Sequence, residues 1–239
     1  LAMTGAFSLP QGTATTSHSW QTLLLAALIL IGSGVFTALI LLGETRIAIA
    51  AGIAIPLLGL SLLNIRMAIL AMIVYLIFLG DLRRMLIPIA GWSGLDPLLL
   101  LGGAFAILIC AFIVARGAIR LDTSLSKWMA LMMAIMTLQV FNPKQGGLIV
   151  GIGGIMLLMI PLFWFWIGRT YGSESFMNTL LFRIVVPLSI PASLFGLYHA
   201  FYGYLPYQLV WYDIAGYAAL GSRENPAPVS LFSSGTEFG

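Results

Sequence analysis

The chain alternates long uncharged runs with short polar punctuation, and the run over 148–167 sets the pattern for the rest. It carries no charge over about 20 residues, enough at roughly 1.5 Å per residue to cross a hydrocarbon layer about 30 Å thick. Lys144 precedes it, Arg169 follows it and Pro161 interrupts it. Phe163, Trp164, Phe165 and Trp166 crowd its last turn, where an interfacial aromatic belt would lie. The same pattern predicts spans over 22–42, 47–63, 67–79, 97–114, 128–140 and 184–202, which makes seven. Residues 1–21 read as a flexible lead-in, 22–202 as the helical bundle, and 203–239 as an aromatic and polar segment that stays out of the bilayer.

The second and third spans are thin. The second is broken by Pro56, so the pair is expected either to cross a locally thinned membrane or to form a re-entrant unit. Residues 80–96 read as the first polar loop, and 173–183 as a short interfacial helix separate from the last span, which Pro187 and Pro191 bend. Gly32, Gly34 and the GxxxG pair Gly147 and Gly151 are expected close-packing points, within the chain or between two copies.

Composition fixes the solvent. Of 239 residues 60% are hydrophobic and 8% charged, and the mean hydropathy is +1.04. A water-soluble core of this size does not hide that much apolar surface, so the fold class is all-α, a polytopic membrane bundle. The net charge of +3 arises from only 11 Lys and Arg with no basic patch, which argues against a nucleic-acid partner. The single cysteine, Cys110, lies in an apolar run and reads as a small hydrophobe. A cytoplasmic N-terminus would place Arg66, Arg116, Arg120, Lys127, Arg169 and Arg183 inside, against Arg46, Arg83, Arg84, Lys144 and Arg223 outside. The basic 115–127 loop favours that orientation, with 203–239 outside.

Candidate chemistry is sparse. There is no phosphate loop, GxSxG elbow, HExxH or cysteine pair, and His18 and His199 have no carboxylate within a helical turn, so a metal site is not expected. Asp81, Arg83, Arg84 and Asp96 lie at a membrane boundary. The adjacent arginines have two readings: a bidentate grip on a lipid-linked diphosphate, or ordinary snorkelling at a helix end. Tyr198, Tyr202, Tyr204, Tyr207, Trp211, Tyr212 and Tyr217 are either a carbohydrate-facing surface or an interfacial belt. His199 inside that cluster reads as a hydrogen-bonded helix residue more readily than as a base.

Phe141-Asn142-Pro143 closing a span, Phe195-Gly196-Leu197-Tyr198-His199 before Gly203, and Arg223 followed by Leu231-Phe232-Ser233-Ser234-Gly235-Thr236-Glu237-Phe238-Gly239 resemble the N-terminal half of the O-antigen ligase and polymerase superfamily of bacterial polysaccharide assembly. Where many members carry Tyr-Gln, this chain has Tyr198-His199. The chain starts at Leu1 and stops within the last motif, so it reads as part of a longer protein.

The resemblance implies a multi-pass glycosyltransferase of the bacterial inner membrane that works without cofactor or metal. Its partners would be the lipid bilayer, an undecaprenyl-diphosphate-linked glycan and a glycan or lipid acceptor on the periplasmic side. The family's essential arginine and histidine lie beyond the stretch matched here, so this stretch alone is expected to be inactive. The candidate substrate-binding residues are Arg83, Arg84, Arg223, Glu237, Tyr198, His199 and Trp211. Two other classes stay open: a transporter of a small solute such as an inorganic anion, which usually needs an ionisable group at mid-membrane, and a non-catalytic membrane scaffold.

Overall fold

A computed structural model describes residues 15–93, 96–142, 144, 146–215 and 228–232. The protein is an all-α membrane bundle: α1 (Thr15–Leu41), α2 (Thr45–Leu63), α3 (Ile65–Met85), α4 (Ile87–Ala90), α5 (Pro97–Ala115), α6 (Ser124–Gln139), α7 (Leu148–Tyr171), α8 (Glu174–Asn178), a π-helical stretch (Thr179–Val185), α9 (Val186–Tyr202) and α10 (Pro206–Ala215). Among the described residues six helices are long and apolar enough to cross a membrane. Their outward faces are studded with exposed leucine, isoleucine and phenylalanine, including Leu30, Ile31, Leu194 and Phe201. In water such a surface would be an aggregation patch; in lipid it is the solvated face.

Three of the long helices, α3, α5 and α6, start where the sequence supplies a side-chain cap. The Asn64 side chain accepts from the Arg66 and Met67 amides at 3.1 and 3.2 Å and so opens α3. Asp96, with Pro97 at the first helical position, opens α5 by accepting from the Leu98 amide at 3.1 Å. Thr123 and Ser126 form a reciprocal capping box for α6. These caps satisfy amides that would otherwise be left open at the membrane surface.

Five sequence expectations change. The second and third spans are full helices of 19 and 21 residues, and α2 runs unbroken through Pro56. The third grows because Asp81, Arg83 and Arg84, expected in a loop, form its last turn, where buried partners compensate their charge. The expected interfacial helix and the last span are one continuous element, 174–202, of 29 residues. Pro187 offers no N–H and its ring crowds the carbonyl of Arg183, and the π-helical stretch widens the helix at that point. The fifth expected span is the 16-residue α6, about 24 Å long at 1.5 Å per residue and not among the six helices long enough to cross. At the N-terminus, residues 15–21, expected to be flexible, are the first turns of α1.

α5 is the hub. It is apolar on every side, and Phe105, Ala106, Ile109 and Ile113 pack with Ala68, Ile69 and Met72 of α3 and with Trp166 and Ile167 of α7. Gly102 and Gly103 permit this by lacking side chains in two directions. A Cβ on Gly102 would stand 2.8 Å from Leu76 Cδ2, and one on Gly103 2.5 Å from Ile160 Cδ1. Of the glycines singled out from sequence, Gly32 meets Ile55 of α2 at 2.8 Å in the same way, whereas Gly34 faces open space. Gly147 is not a packing point but the residue preceding α7, with φ 115°.

Gly103→Leu is expected to wedge α5 from α7 and cost about 1–3 kcal/mol. Gly103→Ala should be nearly neutral, because only the terminal methyl of Ile160 has to turn aside. Unfolding in mixed micelles reads both, and equal stability of the two variants would refute the close approach.

Candidate functional site

The alternating helices sort the polar residues to two ends. At one, the aromatic end, the carboxyl ends of α3 and α9 meet α4, α10, the start of α5 and residues 228–232. At the other, the basic end, the 116–123 linker meets the end of α7. Thr15 of α1 and the 203–215 stretch lie at opposite ends.

The aromatic end holds two charge networks. In the first, Asp96, 2% exposed, accepts from Arg46 Nη1 at 2.7 Å and from Arg83 Nε at 2.8 Å while still capping α5. Arg46 also donates from Nε to the Gly91 carbonyl at 2.8 Å. Gly91 reaches that position with φ 69°, a conformation open to glycine. Two guanidiniums on one carboxylate leave this network with one excess positive charge.

The second network is built on Asp81. Its carboxylate accepts from the Tyr207 hydroxyl at 3.0 Å and from Gln208 Nε2 at 3.2 Å, and lies 3.4 Å from Arg84 Nη2. Arg84, 1% exposed, donates from Nη2 to the Ser230 carbonyl at 2.7 Å, and its guanidinium stands 5.1 Å from the Trp211 ring centre. Ser230 is the only described non-glycine residue with positive φ, 50°. It is held on three sides: its amide donates to His199 Nδ1 at 3.2 Å, its hydroxyl donates to the Ala192 carbonyl, and its own carbonyl takes Arg84. Next to it the Asp81 amide donates to the Leu231 carbonyl at 3.0 Å, and Val229 packs with Trp211 and Ile87. Residues 228–232 are thus a plug seated in the end of the bundle.

Because Nδ1 of His199 accepts from Ser230, the imidazole proton belongs on Nε2. That Nε2, together with Nε and Nη1 of Arg84, is buried without a hydrogen-bond partner. The Phe195 and Tyr204 rings close around His199 with centroids 4.4 and 5.3 Å away. Burial, reinforced by the neighbouring Asp81 charge, raises the Tyr207 phenol above its ordinary value. Burial likewise raises Tyr204 against the opposing pull of Arg84. Both phenols therefore stay protonated through neutral pH, and Tyr207 remains a donor to Asp81. The open groups here are N–H donors, which suit an anion.

The sequence candidates divide accordingly. Arg84, His199 and Trp211 meet in the second network, and Arg83 belongs to the first. Neighbouring residues on a helix point about 100° apart, and Arg83 and Arg84, read from sequence either as a joint grip or as snorkelling residues, enter separate networks. Tyr198 lies on the outer surface, 40% exposed, stacked on Tyr202 at 5.2 Å. Arg223, Glu237 and Tyr217 lie outside the described residues. Sequence reasoning overlooked Arg46, Gln208 and Ser230 as site residues. The Asp96-Pro97 pair carries a helix-start signal that could have marked its end of the network, whereas nothing local marks Ser230. No family model, no curated protein and no solved structure matches the chain.

Proposed function

We propose that the chain serves bacterial surface-glycan assembly, as part of an inner-membrane ligase or polymerase that moves a glycan from undecaprenyl diphosphate to an acceptor hydroxyl at the aromatic end. The observation that carries this reading is the set of unmet buried donors, Arg84 Nε and Nη1 and His199 Nε2, under a roof of Tyr204 and Trp211. Phosphate oxygens entering between α3, α9 and α10 would complete those donors. Tyr198 and Tyr202, 40% and 78% exposed beside them, offer faces on which sugar C–H groups pack.

In the transfer, the acceptor oxygen bonds to the anomeric carbon as the bond from that carbon to the diphosphate oxygen breaks. The electron pair and the negative charge leave with undecaprenyl diphosphate, and the acceptor's proton passes to a base. His199 serves this as a donor rather than as that base, since its Nδ1 is already occupied by Ser230. Arg84 would stabilise the departing oxygens, where loss of one such donor costs roughly 10²–10³ in rate. Arg66, Arg116, Arg120, Lys127, Arg169 and Arg183 in the basic half, against Arg46, Arg83, Arg84 and Lys144 at the aromatic end, favour a periplasmic aromatic end.

Deleting the gene should leave surface glycan short or unattached, with loaded carrier accumulating. Compartment reporters should read cytoplasm at the 116–123 linker and periplasm beyond residue 203. Normal glycan with impaired uptake of an inorganic anion, or reversed reporters, would overturn the proposal.

A further inference from the structure

The basic end holds a second polar site that plays no part in the glycan reading. Arg169, on the last turn of α7, donates from Nη1 to Thr123 Oγ1 at 2.9 Å and pairs through Nη2 with Asp122, which pins the linker after α5 to α7. Its Nε is buried with no hydrogen-bond partner. Beside it opens a cavity of about 230 Å³ lined by Ala118, Arg120, Asp122, Arg169 and Thr170. Arg120 is exposed and makes no hydrogen bond or ion pair among the described residues. Two guanidiniums face one carboxylate across the cavity, so it carries one uncompensated positive charge, with Arg116 and Lys127 nearby on the same end.

The exposed residues that flank the cavity lining in sequence point to the kind of anion it would hold. Arg120 is flanked in sequence by Ile119 and Leu121, exposed at 41% and 48%, and the first turns of α6 expose Leu125 and Trp128. Apolar side chains with an interfacial tryptophan, at the level where α5 and α7 leave the hydrocarbon, are the setting of lipid acyl chains below a headgroup. A free anion in water would have no use for them.

We propose that this cavity binds the headgroup phosphate of an anionic phospholipid. Arg120 is the mobile clamp, Arg169 the fixed positive charge in the cavity wall, and Ile119, Leu121, Leu125 and Trp128 the cover for the acyl chains. Asp122 stays paired with Arg169 and keeps the site from accepting a second charge. The bound lipid would tie the linker to α7 at the one place where short α6 leaves the bundle thin.

The test uses the full chain in detergent, examined by native mass spectrometry with phosphatidylglycerol, with phosphatidylcholine and with inorganic phosphate as competitor. Phosphatidylglycerol should be retained in preference to phosphatidylcholine. Arg120→Gln, which removes no hydrogen bond or ion pair among the described residues, should weaken its retention about fivefold, as expected for one basic side chain at an anionic surface. Arg116→Gln removes the same charge outside the cavity and should change retention little. Equal loss in the two variants would mean diffuse surface charge, and equal retention of the two lipids would mean no headgroup recognition. Displacement of the lipid by millimolar phosphate would make the site one for a free anion. Any of these three results overturns the proposal.

Discussion

Asp96→Ala is expected to destabilise the bundle by about 3–5 kcal/mol, the range for breaking a buried ion pair from one side. The carboxylate is nearly inaccessible and holds Arg46, Arg83 and the first amide turn of α5 together. Removing it leaves Arg46, 7% exposed, as a buried cation whose remaining partner is the Gly91 carbonyl, and uncaps a helix, itself worth about 1 kcal/mol. Arg83→Gln should cost only about 1 kcal/mol, because the Arg83 side chain is 20% exposed and Asp96 keeps Arg46. Asp96→Asn should fall between, since its amide oxygen can still cap α5. The measurement is unfolding in mixed micelles with increasing denaturing detergent. Should Asp96→Ala prove no worse than Arg83→Gln, the shared carboxylate would not be what joins α2, α3 and α5 at this end.

The second large effect is expected at Arg84. Arg84→Met should release residues 228–232, raising hydrogen exchange at the Ser230 and Leu231 amides, and, on the function proposed above, should lower glycan transfer by roughly 100-fold or more. The methionine fills space but cannot donate to the Ser230 carbonyl, and it leaves Asp81 without a cation. Arg84→Lys should rescue little. A lysine ammonium is a point charge without the planar fork that lets one guanidinium bond Ser230 while lying over Trp211. Ser230→Ala separates plug from ligand: it removes the hydroxyl bond to Ala192 and should loosen 228–232 while leaving the guanidinium in place. If transfer falls equally in Ser230→Ala and Arg84→Met, Arg84 acts only through the plug; if 228–232 stays protected in Arg84→Met, the latch itself is refuted.

The two networks also explain why neighbouring arginines do different work. Arg83 faces α5 and pairs through Nε with a carboxylate that two cations share; Arg84 faces α10 and the plug, and keeps its Nε and Nη1 nitrogens buried without partners. The second holds its unmet donors buried inside the bundle, and the first supplies the rigidity that holds α3 in register with α2 and α5.

Much of this protein follows from its sequence alone. The helical class and the approximate positions of the spans are dictated by uncharged runs, because lipid offers no partner to a backbone N–H or C=O and a helix closes those bonds locally. The helix starts at Asn64, Asp96 and Thr123 are equally local, since a cap acts within three residues of itself. What needed the tertiary structure was every contact between helix ends: Arg46 meets Asp96 across 50 residues, and Arg84 meets Ser230 across 146. No periodicity encodes such a meeting, because apolar runs specify that helices cross the membrane and leave open which neighbours they cross beside. Small residues settled that choice, Gly102 and Gly103 admitting α3 and α7 to α5, and the polar ends then paired as the packing brought them together.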